Sequence, residues 1–440
     1  MRKLVQSISE RYVDRMESVM ALDIHNPDVE SQGRGLVRSE PTFLPDPGPR
    51  ELWCPLISVD DHVLEPADIF TSRTSSRYRD LVPAVVPDQE GIPYWHIEDD
   101  RIPMRLTMCG AVGRPIEEWS LAPQKYQDFR TGVWDVHSRV KDMDLNGVYA
   151  SLNFPSFVWG FAGKRLSGMR DREVGLASVR AYNDWMLEEW CGAYPDRFIS
   201  CQLPWLLDPE IAALEIRNNK ERGFQSVTFS ENPEGLGLPS LYSEYWDPFF
   251  RACEETETVV NLHVGSSGSI CQPSAASPAD VTVALFPLNS IQAVVDWIFS
   301  RIPLRFPKLK IVLSESGVSW VPMIIERLTR SYRQAASSET WSTSDPDPVD
   351  ILRRNFWFTS IEDPAAFRML DIIGAEKVMV ETDYPHADSS WPDSQELFSR
   401  DMKSLPRDTI EKLCFRNASA LYQHPLPPSA LIDSSLISRH

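Results

Sequence analysis

Eight short apolar runs alternate with helix-like stretches along this chain, and that rhythm limits its fold more than any other feature. The runs are Leu56–Asp60, Val148–Phe154, Arg197–Pro204, Phe224–Ser230, Thr258–His263, Lys310–Glu315, Phe356–Ser360 and Val378–Asp383. Between them lie segments with helical patterning, among them Val136–Gly147, Val179–Pro195, Pro209–Gly223, Trp246–Thr256 and Ile291–Ile302. Short strands that are apolar throughout are covered on both faces, so the pattern predicts a parallel sheet wrapped by helices. Eight such units favour a closed α/β barrel of the TIM (β/α)8 type over an open sheet. The 440 residues fit one such barrel with extensions.

The remaining segments break the rhythm. Residues 1–54 read as an N-terminal extension, with a short helix predicted over Lys3–Met20 and then an arm rich in proline, glycine and charge. Residues 55–424 carry the barrel, and residues 425–440 form a tail. An insert at about 67–130 includes a predicted β-hairpin in Gly91–Thr107. Placed on the first strand-to-helix connection, it sits over the barrel mouth. A net charge of −19 argues against a nucleic-acid partner, because phosphate binding requires a basic surface. The seven cysteines are scattered without a Cys-x-x-Cys pair, which suggests reduced thiols. With no signal-like apolar segment and no membrane-spanning run, a soluble cytoplasmic protein is expected.

The ends of the predicted strands hold the chemistry. Strand one ends in Asp60, His62 and Glu65, strand five in His263, strand six in Glu315, and strand eight in Asp383 and His386. Taken singly, each reads as a turn residue or a helix cap. Taken together, four carboxylates and three imidazoles converge on one mouth, where like charges repel and raise one another's pKa. A bound cation resolves that repulsion. Asp60 and His62, two apart on a strand, face the same way, and His263 and Asp383 complete a ligand set for one ion. Glu65, Glu315 and His386 are candidates for a second. Imidazole and carboxylate without thiolate suit Zn, Mn or Fe in place of a structural zinc.

At these residues the chain resembles the amidohydrolase superfamily, in the branch related to aminocarboxymuconate-semialdehyde decarboxylase. The motifs are DDHVLEP, KDMDLNGV, LHVGSSG, FPKLKIVLSESGVSWVP, TDYPHADSSWP and CFRNASALY, spread over Leu56–Tyr422. The resemblance implies a distorted TIM barrel with metal at its mouth, held by Asp60, His62, His263 and Asp383. Two departures stand out. The first motif is Asp-x-His where that branch usually has His-x-His or Glu-x-His. Glu315 also occupies the place of a catalytic histidine after strand six.

The carboxylate-rich pattern is most similar to the amidohydrolase-fold dinuclear non-haem iron monooxygenases, such as the platensimycin-type diterpenoid hydroxylases. That resemblance implies two Fe ions (alternatives Mn/Fe or Zn), O2, and an external electron donor or reductase. The reaction expected is hydroxylation of an unactivated carbon in a bulky apolar substrate, as in antibiotic biosynthesis, with Glu315, His386 and Asp383 as catalytic residues. The alternative expectation is a metal-dependent hydrolase or non-oxidative decarboxylase, with Glu315 or His386 as acid or base. Trp95, Met104, Met108, Trp119, Phe157, Trp159, Phe161 and Trp205 are candidates to line a small-molecule pocket, and Arg105 and Arg114 to hold an anionic group. Packing of the insert on the barrel accounts for the same aromatic residues equally well. A homo-oligomer is expected by analogy with the fold class.

Overall fold

Parallel pairing of fully buried strands builds the centre of the molecule. The computed structural model describes residues 40–334, 341–342 and 344–439. The helix predicted over Lys3–Met20, and the extension as far as residue 39, lie outside the described residues. Strand β1 (Leu56–His62) pairs with β5 (Val148–Phe154), and both are buried at every position. β5 pairs with β6 (Phe198–Ile199), and β7 (Cys201–Gln202) pairs with β8 (Ser226–Phe229). The ladder continues through β9 (Val259–His263), β10 (Ile311–Ser314), β11 (Phe356–Ser360) and β12 (Val378–Val380), parallel at every step. Two backbone bonds then join the turn after β12 to β1: Asp383 N–H to Asp60 O at 2.9 Å and His62 N–H to Tyr384 O at 2.6 Å. Eight staves thus follow one another round a ring, as the alternation predicts.

Two strands differ from expectation for identifiable reasons. The third stave is split at Ser200, whose N–H bonds the Gln225 side chain while its carbonyl accepts from Ser226 N–H. The eighth stops at Val380, short of the predicted Asp383. Beyond it, Thr382 N–H turns to the Ser58 hydroxyl at 2.9 Å, and Asp383 adopts a left-handed φ of 48°. Helices start where aspartates supply N-caps. Asp135 precedes the helix Val136–Leu145, Asp171 precedes Arg172–Trp185, and Asp208 precedes Pro209–Arg222; each accepts from backbone N–H groups of the first turn.

The insert is a three-stranded antiparallel sheet. The predicted hairpin is β3 (Pro93–Ile97) with β4 (Asp100–Pro103), and β2 (Ala84–Pro87) adds a third strand. Trp95 from β3 is fully buried, edge to face with Phe70 and with Trp159 of the loop after β5. Trp95, Met104, Trp159 and Trp205 therefore belong to the core, not to a substrate pocket, and the Trp95–Trp159 contact fastens the insert to the barrel. Arg105 and Arg114 are likewise committed within the insert. Arg105 donates to Leu121 O, and Arg114 pairs with Glu118 and donates to Asp128 O. At the other end, Leu436 and Ile437 of the tail donate backbone bonds to Leu52 and Trp53, so the tail clasps the start of the barrel.

One buried carboxylate closes the ring. Asp61 Oδ1 accepts from the Ser58 hydroxyl (3.0 Å), the Thr382 hydroxyl (2.7 Å) and Tyr384 N–H (2.9 Å), and Oδ2 accepts from the Ser151 hydroxyl. It ties β1 to β5 and to the turn after β12. Burial pushes its pKa up to about 6, while these donors and Arg139 pull in the opposite direction. Asp61→Ala strips four donors of their acceptor. Its expected cost is about 3 kcal/mol or more in urea unfolding, the range for a broken buried network around a charged group.

Candidate metal centre

The barrel brings the predicted strand-end residues to one place. Asp60 and His62 project inward from the end of β1, and His263 is the last residue of β9. Asp383 follows β12 in its left-handed turn, and His386 N–H closes that turn onto Asp383 O at 2.9 Å. Glu315 follows β10, also left-handed (φ 54°), with its N–H on Glu381 Oε2 at 3.2 Å. Two non-glycine residues held in this sparsely populated region at a strand-end cluster mark a functional arrangement.

Ligand atoms crowd round His62 Nε2. His62 Nε2 lies 3.4 Å from Asp60 Oδ1, 3.2 Å from Asp383 Oδ1 and 3.1 Å from His263 Nε2. His263 Nε2 lies 3.6 Å from Asp60 Oδ1 and 3.7 Å from Glu315 Oε2. His386 Nδ1 lies 3.1 Å from Asp383 Oδ1, and its ring stacks on His62 at 3.9 Å. These residues form three overlapping groups: Asp60, His62 and His263; His62, Asp383 and His386; and Glu315, Asp383 and Asp388.

The proton positions show what the cluster requires. His62 Nδ1 faces Pro155 O at 3.2 Å, and His263 Nδ1 faces Val264 O at 2.7 Å. A carbonyl only accepts, so both Nδ1 atoms carry the proton. Burial first, then the neighbouring imidazole (His386 for His62, His62 for His263), holds both rings well below the usual histidine range. Their Nε2 atoms are therefore bare lone pairs pointing at each other and at carboxylate oxygens. Both oxygens of Asp60 are buried without a hydrogen-bond partner, as is His386 Nε2, and Asp383 Oδ1 faces His386 Nδ1 at 3.1 Å. Leaving a buried carboxylate unpaired costs several kcal/mol. A divalent cation compensates these charges and lone pairs, and edges of 3.1 to 3.6 Å suit ligands about 2.1 Å from one ion. Two imidazoles with carboxylates and no thiolate fit Mn, Zn or Fe.

Around this core the acids are held protonated in the metal-free chain. Burial, then Glu381 and Asp383, raises Asp60 well above the carboxylate range; burial, then Asp388, does the same to Glu315. Burial raises Glu381 to about 8, and burial followed by the Asp383 charge raises Asp388 to about 7. For His386 burial pulls downward, but the Asp383 carboxylate outweighs it and the pKa rises.

Six of the seven expected ligands converge; Glu65 does not. Its carboxylate accepts from Ser156 N–H (2.8 Å) and the Ser156 hydroxyl (2.6 Å), because Leu64 N–H and Glu65 O are drawn to Val133 and Tyr126. Glu65 fastens the loop after β5, and burial raises it to about 7. Three participants escaped the sequence reading. Asp388 lies two residues past His386 in the same turn. Glu381 lies two before Asp383, and its carboxylate accepts from Glu315 N–H at 3.2 Å. Arg139, fully buried, donates to His62 O and Gly132 O and stacks on Tyr384 at 4.3 Å.

Comparison with known proteins follows from this geometry. The amidohydrolase family model matches residues 98–423. A gamma-resorcylate decarboxylase from Rhodococcus jostii is 25% identical over 314 residues, covering 65% of this chain and 87% of the relative. An amidohydrolase structure from Mycobacterium avium subsp. paratuberculosis superposes with a TM-score of 0.67 at 24% identity, over 84% of this chain and 99% of that one. The 5-carboxyvanillate decarboxylase from Sphingomonas paucimobilis superposes at 0.59 and 21% identity, over 84% of this chain and 100% of that one. A second 5-carboxyvanillate decarboxylase, from Novosphingobium aromaticivorans, has manganese bound; it superposes at 0.59 and 19% identity, over 84% and 97%.

These findings overturn the expected dinuclear iron monooxygenase. The relatives are named decarboxylases, and the seven-ligand partition loses Glu65 to Ser156. With the monooxygenase go O2, the external electron donor and the place in diterpenoid antibiotic biosynthesis. As for the expected cytoplasmic location, among the described residues no helix is long and apolar enough to cross a membrane.

The raised acids set a pH test. Near pH 6.5 the metal-free folded chain holds protons on Glu381 (pKa about 8) and Asp388 (about 7) that the unfolded chain has released, and it gives them up as pH rises toward 8. Its stability therefore falls as pH rises through that window. A bound cation replaces those protons, so its affinity rises over the same window. The thermal midpoint of chelator-treated protein is expected to drop from pH 6.5 to 8, and the gain on adding manganese to be larger at pH 8. Equal gains at both values contradict the assignment.

Proposed function

The chain belongs to the amidohydrolase family, and from that premise we propose that it is a metal-dependent, non-oxidative decarboxylase of a hydroxylated aromatic carboxylic acid. The observation that carries the reading is the pair of imidazole Nε2 atoms facing the buried carboxyl groups of Asp60 and Asp383, in a chain whose curated relatives are gamma-resorcylate decarboxylases. Asp60, His62, His263 and Asp383 are the residues that would hold one divalent ion. Manganese is the first choice, since a solved relative binds it. The two-iron set expected from sequence is not carried into this reading. When bound, the ion supplies Lewis-acid chelation of the substrate's carboxylate and adjacent oxygen.

The chain's own residues supply the proton. Glu315 stands 3.7 Å from His263 Nε2 at the open edge of the cluster and is held protonated by burial and by Asp388. It donates its proton to the ring carbon that bears the carboxylate. The carbon–carboxylate bond then breaks, CO2 leaves, and the bonding electron pair restores the aromatic ring. Asp388, on the exposed rim with a pKa of about 7, returns a proton to Glu315 from solvent. His386, paired with Asp383, holds that carboxylate in place. This assignment gives Glu315 the task that a histidine performs in the related branch.

The test is CO2 release by manganese-loaded protein from a panel that includes 2,6-dihydroxybenzoate and 5-carboxyvanillate. Turnover is expected without added reductant. Glu315→Gln is expected to lower kcat by about 100-fold or more, the range for loss of a general acid, with manganese content retained. A Glu315→Gln protein with full activity contradicts its role, and absence of CO2 from every aromatic acid contradicts the reading.

A further inference from the structure

We infer that Phe161 is an aromatic gate over the metal-facing atoms, whose ring leaves its place when a flat aromatic acid enters. This deepens the decarboxylase reading and takes its substrate class from it. The side chains of Asp60, His62, His263 and Asp383 are at most 1% exposed. Glu315 (16%) and His386 (11%) reach toward solvent beside the exposed Asp388. A substrate therefore meets a closed shell. What closes it on the loop after β5 is Phe161, whose ring centroid lies 3.9 Å from His263, 4.9 Å from His62 and 6.1 Å from His386. The ring is itself only half-buried, so it stands between the imidazoles and solvent.

The backbone under Phe161 is built to move. Gly160 and Gly163 both have φ of 69°, a region L side chains rarely adopt, and they bracket Phe161 and Ala162. Gly163 N–H closes onto Gly160 O at 2.7 Å, so the four residues form one β-turn with Phe161 at its tip. The Phe161 carbonyl accepts from the Thr228 hydroxyl at 2.6 Å, which latches the turn to β8. Loop-borne groups of this kind, hinged at residues that absorb φ/ψ changes, control access to closed sites. A planar substrate ring fits the space Phe161 vacates, because an aromatic face can replace another against the same imidazoles.

The experiment follows manganese, not turnover. A large excess of EDTA is added to manganese-loaded protein, and release is followed by the EPR signal of the ion. Phe161→Ala is expected to speed release about tenfold or more, with Phe161→Leu in between and Thr228→Val faster than wild type. Because a gate changes entry and exit together, the equilibrium manganese Kd is expected to stay unchanged. A release rate unaltered in both Phe161→Ala and Thr228→Val overturns the gate. So does faster release that is explained entirely by a weaker Kd, which reports damage to the ligand shell. Phe161→Leu and Thr228→Val keep the test decisive if Phe161→Ala folds poorly. No substrate is involved, so failure of the decarboxylase reading appears separately, as absent CO2 with the exchange result intact.

Discussion

His62 Nε2 lies 3.1 to 3.4 Å from His263 Nε2, Asp383 Oδ1 and Asp60 Oδ1 at the mouth of the barrel, and the surrounding structure depends on that crowding. Two imidazole lone pairs and two carboxylates, all buried, repel one another. The Nδ1 protons of His62 and His263 are turned to Pro155 O and Val264 O, so of the three imidazoles it is His386, 3.1 Å from Asp383 Oδ1, that turns its Nδ1 to a carboxylate. The arrangement makes sense as a coordination shell. It also explains the raised acids around it, since without a cation burial and mutual repulsion push Asp60, Glu315, Glu381 and Asp388 above the carboxylate range.

Such a cluster holds together only if the strands beneath it are clamped. Asp61, facing away from its neighbours Asp60 and His62, does this with four donors from β1, β5 and the turn after β12. Arg139 adds a bond to the carbonyl of His62 and a cation–π contact to Tyr384, the residue after Asp383. The run Asp60–Asp61–His62 thus splits its work by strand alternation: outer members toward the metal centre, the middle one toward the barrel wall. The same logic separates Glu65 from the cluster. Once the chain leaves β1 its direction is set by Val133 and Tyr126, and strand periodicity no longer applies.

Much of this was legible in the sequence where a local period carries the information. The eight staves, the insert hairpin and the convergence of Asp60, His62, His263, Glu315, Asp383 and His386 all follow from alternation and strand ends. The misreadings fall where tertiary contacts decide. Trp95 and Trp159 read as pocket candidates because aromatic composition cannot distinguish a core edge-to-face pair from a substrate wall. Arg105 and Arg114 read as anion ligands because their partners, Leu121 O, Asp128 O and Glu118, come from folding within the insert. Asp388 and Glu381 had readable signals, spacings of two from His386 and Asp383. The functional misreading had a different origin. A surplus of carboxylates reads as a two-iron site, whereas here the surplus includes a loop fastener, Glu65, and a candidate proton donor, Glu315.

The proposed decarboxylation is proton transfer to carbon, with no change in oxidation state. Turnover of an aromatic acid substrate by the manganese-loaded protein, under argon and in D2O, tests it most directly. The account expects product to form at the aerobic rate, with one deuterium on the carbon that lost CO2, read by NMR. Product that forms only when O2 is admitted, or that carries a new oxygen at that carbon, contradicts it.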